Sequence, residues 1–237
     1  MQWNYYRLDR GSHQELAKVG AEQARVTPGT HALRIGKEIG VDPEVILATS
    51  HGRRSIDVLA IYEPKLANWE YISQVEGSIP KEFGQDAVEI LGARAILRNL
   101  EQQAVPWCIV TSGTRPLVTG WLDVMQLAHP KNMVTAEDVK HGKPDPACYQ
   151  MGKQKLGLQE ASPSIVVFED APAGVRSGKA AGFTVVALFT THTIEQLVEA
   201  GADYVVEDMR SVRSTLPDPC DARTDFVFHI GIPLVMG

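Results

Sequence analysis

The chain has 237 residues, 44% of them hydrophobic and 22% charged, which fits a globular fold with a sizeable core and excludes a fibrous or disordered chain. A formal net charge of -6 leaves no electrostatic footprint for a polyanion, so nucleic acid is set aside as a partner. Cys108, Cys148 and Cys220 are odd in number, widely spaced and never in a C-x-x-C arrangement, which argues against a disulfide framework or a zinc site and for a reducing, cytoplasmic setting.

Residues 1–34 match no element pattern and read as an atypical N-terminal segment for which disorder is expected. They lack the apolar centre of a signal peptide, and the later run FVFHIGIPLVMG is too short to span a bilayer, so no membrane partner is expected. Residues 35–86 carry helical periodicity and no run resembling a buried strand, which predicts a small helical subdomain. From 87 to 214 the pattern alternates. Helices are predicted over 92–103, 115–127 (Pro116 in its first turn), 145–158, 171–182 and 193–201, and strands over 105–112, around 132–139, and over 164–170, 184–191 and 203–208. Such alternation implies parallel pairing through right-handed crossovers, hence an α/β fold, a Rossmann-like parallel sheet with helices on both faces. Residues 215–237 form an atypical tail, and a monomer is expected.

In a parallel α/β sheet, ligands bind outside the carboxyl ends of the strands, so the residue that closes each strand carries the chemistry. The strand WCIV runs into Thr111, Ser112 and Gly113, whose hydroxyls and N–H groups precede a helix and suit an anion. Lys143 stands in HGKPDPACY, where Pro144 and Pro146 stiffen the chain ahead of the next helix. The strand IVVF ends at Glu169 and Asp170, hard oxygen ligands of the kind Mg²⁺ requires. Each feature has a plainer reading: a helix cap, a solvated lysine, acids at a helix N-terminus. Their order at successive strand ends favours a phosphoryl cradle. Gly174, Gly178 and Gly182 share one helix face and are expected to let that helix pack close to the sheet. Neither G-x-x-x-x-G-K-[ST] nor G-x-G-x-x-G is present.

WCIVTSGT, GKPDPACY and VVFEDAPAGVRSGKAAG resemble motifs two, three and four of the haloacid dehalogenase superfamily. The last two are close to its glycerol-phosphate and 2-deoxyglucose-6-phosphate phosphatases, with relatives among the β-phosphoglucomutases, and SHGRRSIDVL is similar to their helical cap. The resemblance implies a Mg²⁺-dependent phosphatase for a small phosphorylated metabolite, a polyol or sugar phosphate. It implies that Thr111 binds the transferring phosphoryl group, with Ser112 and Gly113 beside it, that Lys143 stabilises its charge, and that Glu169 and Asp170 hold the metal. It also implies that His51, Arg53 and Arg54 face the substrate from the cap, although a solvated basic turn explains these three equally well.

The family's reaction begins at a D-x-D-G-T motif, which supplies a nucleophilic aspartate and an acid/base two residues later, and this sequence contains none. The nearest candidate, Asp9 in RLDRG, follows no apolar strand and precedes no second acid. The change from an unpatterned start to a patterned cap suggests a replaced or lost beginning. A non-catalytic phosphate-binding or regulatory protein therefore stands as the alternative function. The motif-one strand of the resemblance lies mid-sheet, between the strands ending at Thr111 and Asp170. Its absence predicts a gap, with DFVFHIGI as the best segment to fill it and instability if nothing does.

Overall fold

In the computed structural model, the described residues are 5–6, 17–18, 36, 40–42, 46, 52–158, 165–215 and 227–231. The alternation predicted for 87–214 is present. Strand β3 (Cys108–Val110) pairs parallel with β4 (Asn132–Val134), and β5 (Val166–Glu169) pairs parallel with β6 (Thr184–Leu188), which in turn pairs parallel with β7 (Tyr204–Val206).

Side chains alternate across these strands with period two, which splits the core into two layers. Ile109, Val166, Phe168, Val186 and Leu188 face one side, where they meet Ile96, Leu97 and Leu100 of α3 (Ala93–Gln102) and Val118 and Leu122 of α4 (Arg115–Val124). Cys108, Val110, Val167, Val185 and Ala187 face the other, against Cys148 and Tyr149 of α5 (Ala147–Lys155), Val175 of α6 (Pro172–Ala180) and Leu197 of α7 (Ile194–Glu199). Burying each such Val or Leu is worth about 1.5–3 kcal/mol, so both faces must be covered and the strands read as continuous apolar runs. Cys108 and Cys148 are buried thiols in the second layer.

The mid-sheet slot is filled, but not by the segment expected. Strand β2 (Ala17–Lys18) runs parallel to β5, Ala17 opposite Val166 and Lys18 opposite Val167, and it approaches β3 from the other side. Residues 227–231 lie elsewhere. As β9 (Val227–Gly231) they pair antiparallel with β8 (Val212–Thr215) and with β1 (Tyr5–Tyr6) in a separate small sheet. A central parallel slot needs a strand fed by a crossover, whereas β9 follows β8 closely enough to return antiparallel to it. The expected gap between β3 and β5 is thus corrected to a strand slot occupied by residues 17–18.

Among the described residues of the segment predicted helical are α1 (Ser55–Tyr62) and α2 (Trp69–Phe83). Asn68 caps α2, its side chain accepting the Tyr71 N–H at 2.9 Å. Leu59 and Ile72 close a small apolar cluster with Ile46. Helix α2 lies along α4 through two reciprocal notches. A Cβ on Gly77 would come within 2.9 Å of Pro116, and one on Gly120 within 2.8 Å of Pro80, so each glycine receives the other helix's proline. Pro116 sits in the first turn of α4, as its fixed φ favours. No helix among the described residues is long and apolar enough to cross a membrane.

Candidate active site

The carboxyl ends of β3 and β5 and the loop after β4 converge on Lys143. Its side chain is 4% exposed, and Nζ lies 2.5 Å from Glu169 Oε1 and 3.4 Å from the carbonyl oxygen of Val110, the last residue of β3. Tyr149, one turn into α5, donates its hydroxyl to the same Glu169 oxygen and sets its ring 5.4 Å from Nζ. The other carboxylate oxygen of Glu169 accepts the N–H of Asp170 at 3.3 Å. A lysine this deeply buried holds its charge only against an opposite one, and Glu169 is that partner.

Space for the Glu169 carboxylate comes from Gly174. A Cβ at that position would stand 2.2 Å from Glu169 Cδ. Of the three glycines assigned to close packing, Gly178 does so, since a Cβ there would meet Val185 at 2.8 Å. Gly182 instead carries a φ of +82° beyond the end of α6, the left-handed conformation that ends helices. One periodic face therefore holds three different devices.

Thr111, Ser112 and Thr114 are all buried. Thr111 Oγ1 accepts the Gly113 N–H at 3.0 Å, which organises the turn between β3 and α4. Ser112 donates its hydroxyl to the carbonyl oxygen of Gly52 at 2.9 Å, and the Thr114 N–H donates to Glu76 Oε2 at 2.7 Å, so two helical-layer residues close over this turn. Glu76 also accepts from the Ser55 hydroxyl at 2.5 Å. Burial pushes its carboxyl above the usual carboxylate range, against the pull of the Ser55 and Thr114 hydrogen bonds.

Asp170 is buried, and its Oδ2 accepts the Thr191 hydroxyl at 2.8 Å. His192 Nδ1 lies 3.0 Å from the Asp170 carbonyl oxygen. Mg²⁺ demands a near-octahedral shell of oxygens. Here Glu169 is turned into the Lys143 and Tyr149 pair, and among the described residues no group of three or more His, Cys, Asp or Glu is gathered to hold a metal. Among the described residues, the donor set as arranged does not fit a Mg²⁺ ion.

Thr111, Ser112, Gly113, Lys143, Glu169 and Asp170 are thus brought to one end of the sheet. Arg53 and Arg54 part company. Arg53 is exposed, while Arg54 is buried with its guanidinium turned onto the loop ahead of Lys143. His51 and Asp9 lie outside the described residues. Sequence reasoning missed Tyr149, Glu76, Thr191 and His192. Thr191 and His192 follow β6, a fourth strand end that the same rule would have picked out, and Tyr149 shares the buried face of α5 with Cys148 and Gly152.

Residues 38–188 match the family model of the haloacid dehalogenase-like hydrolases. The chain is 40% identical over 180 residues to glycerol-1-phosphate phosphohydrolase 1 of Saccharomyces cerevisiae, covering 73% of this chain and 71% of that protein. It is 37% identical over 186 residues to hexitol phosphatase A of Escherichia coli, covering 74% and 81%. Its fold is similar to that of a hydrolase from Pseudomonas syringae, with a TM-score of 0.65 at 24% identity over 84% of this chain and 94% of that one.

Proposed function

Because the chain belongs to the haloacid dehalogenase-like hydrolases, we propose that its strand-end site takes the phosphoryl group of a small polyol or sugar phosphate. In this reading residues 35–86 are the cap over a core of residues 87–214. The single observation that carries it is the Lys143 ammonium, buried where β3 and β5 end and paired with the Glu169 carboxylate. A phosphate oxygen exchanges with Glu169 as the partner of Nζ, while the Thr111 hydroxyl, whose oxygen accepts the Gly113 N–H, supplies a neutral donor.

The sequence lacks D-x-D-G-T, and residues 17–18, which occupy the central slot, are Ala and Lys. This chain therefore binds the phosphoryl group without the covalent step, as the regulatory alternative requires, and retains the recognition half of a phosphatase. No step is routed through Mg²⁺, because among the described residues no set of three or more His, Cys, Asp or Glu is gathered to hold it.

Titration with orthophosphate and glycerol phosphate, followed by calorimetry, tests the reading. Binding by the wild type that Lys143→Ala abolishes is the expected result, with negligible release of phosphate from glycerol phosphate or 2-deoxyglucose 6-phosphate in the presence of Mg²⁺. Equal binding by wild type and Lys143→Ala overturns the cradle, and robust turnover lost in Asp170→Asn overturns the non-covalent reading.

A further inference from the structure

Arg54 lies in the helical layer, yet every donor of its guanidinium is engaged within the protein. Nε and one Nη hydrogen-bond the two carboxylate oxygens of Asp57 at 2.8 and 2.7 Å. The remaining N–H groups reach three backbone carbonyl oxygens of the loop after β4: Val139 at 2.7 Å, Lys140 at 3.1 Å and Ala136 at 3.3 Å. These five bonds match the five N–H donors that an arginine owns, so none remains for a ligand. Trp69 backs the guanidinium at 5.9 Å. The loop is shaped to receive it. A Cβ on Gly142 would stand 2.7 Å from Arg54 Nε and 2.8 Å from Asp57 Oδ2.

The residue after Gly142 is Lys143. Beyond it the chain is tied again, by the Asp145 N–H to the Gly142 carbonyl at 3.1 Å and by the Ser177 hydroxyl to the Asp145 carbonyl at 2.7 Å. Lys143 is thus suspended between an anchor made by Arg54 and one made by α6. We infer that Arg54, oriented by Asp57, is a positioning residue for Lys143: it pins the carbonyls of residues 136, 139 and 140 and so fixes where the ammonium stands between β3 and β5. The inference rests on the phosphoryl-cradle reading for its consequence, though not for its geometry. This role differs from a substrate contact, because a guanidinium with all five donors engaged recognises backbone shape and not a ligand.

The test compares wild type, Arg54→Ala, Arg54→Lys, Lys143→Ala and Leu59→Ala in the full chain, with orthophosphate as the probe. Arg54→Ala is expected to raise the orthophosphate Kd roughly tenfold, with faster amide hydrogen exchange confined to residues 136–143. Added guanidinium ion should restore most of that affinity, whereas Arg54→Lys should not, since an ammonium cannot span Asp57 and the carbonyls together. Leu59→Ala, which loosens the helical layer's own core, should lower the melting temperature and leave the Kd unchanged. A wild-type Kd in Arg54→Ala overturns the inference, as does a loss that guanidinium does not repair or exchange that quickens across the whole chain. If wild type and Lys143→Ala bind orthophosphate equally, the cradle fails; exchange in Arg54→Ala then decides the positioning role alone, local quickening supporting it and its absence overturning it.

Discussion

The strand-end cradle and the edge of the helical layer that docks beside it each bury a cation, and they hold it in opposite ways. Lys143 leans chiefly on the Glu169 carboxylate, beside the Tyr149 ring, and these are side chains able to give way to a ligand; its contact with main chain, the Val110 carbonyl oxygen, is the longer one at 3.4 Å. Arg54 faces three backbone carbonyls from a neighbouring loop as well as Asp57, and letting go of these would strand several buried acceptors at about 1–3 kcal/mol each. A cation held by an exchangeable charge suits binding. One held by main chain suits architecture, and the carbonyls that hold Arg54 stand within a few residues of Lys143 along the chain.

The sharpest way to break this comparison is to remove the charge that Lys143 relies on. Glu169→Ala leaves a buried ammonium with its ion-pair partner gone, and urea unfolding should show a loss of about 3–5 kcal/mol. Lys143→Met in the same chain should recover much of that loss, because a buried pair replaced by apolar volume is often close to neutral. No recovery would mean that Glu169 acts through Tyr149 and not through Lys143.

A smaller effect is expected from Gly174→Ala. The new Cβ overlaps the Glu169 carboxylate, at 2.2 Å from Cδ, so overpacking should cost about 1–3 kcal/mol and turn Glu169 away from Lys143. Orthophosphate titration distinguishes the two regions here: Gly174→Ala should change the Kd, whereas Asn68→Ala, which removes the α2 cap, should cost about 1 kcal/mol and leave the Kd alone.

The smallest effect is a slope with pH. Burial holds the Glu76 carboxyl above its ordinary range, so the folded chain binds that proton more readily than the unfolded chain does. Its contribution is complete below the unfolded carboxylate range and falls as pH rises through the raised folded value. Nearby Asp138 slopes the other way. Burial alone would raise its carboxyl, but the Thr135 N–H and the charges of Lys155 and Arg115 outweigh it and hold it low, so its contribution is lost as pH falls. Melting curves of wild type minus Glu76→Gln from about pH 4 upward should isolate the first slope, falling with pH. A flat difference would show that the Ser55 and Thr114 hydrogen bonds balance the burial.

Much of the core was determined by the amino-acid sequence itself. The run VVFE reads as a buried strand because both of its faces meet helices, Pro116 marks a first helical turn because its φ is fixed, and Gly178 marks close packing because the strand valines leave no room for a Cβ. These are local signals, carried by period and by backbone chemistry. The grouping of Thr111, Lys143, Glu169 and Asp170 was legible for a related reason, since a parallel sheet gathers successive strand ends on one side. Only the tertiary structure decided what those residues touch. That Arg54 bonds carbonyls more than eighty residues away had no sequence signature, because every residue presents the same backbone acceptor whatever its side chain. The pairing of Lys143 with Glu169, the use of Gly174 as a notch for a carboxylate, and the placing of Ala17 and Lys18 in the central slot likewise depend on which distant surfaces meet. Periodicity specifies which face of an element is buried; it carries no information on the particular partner that buries it.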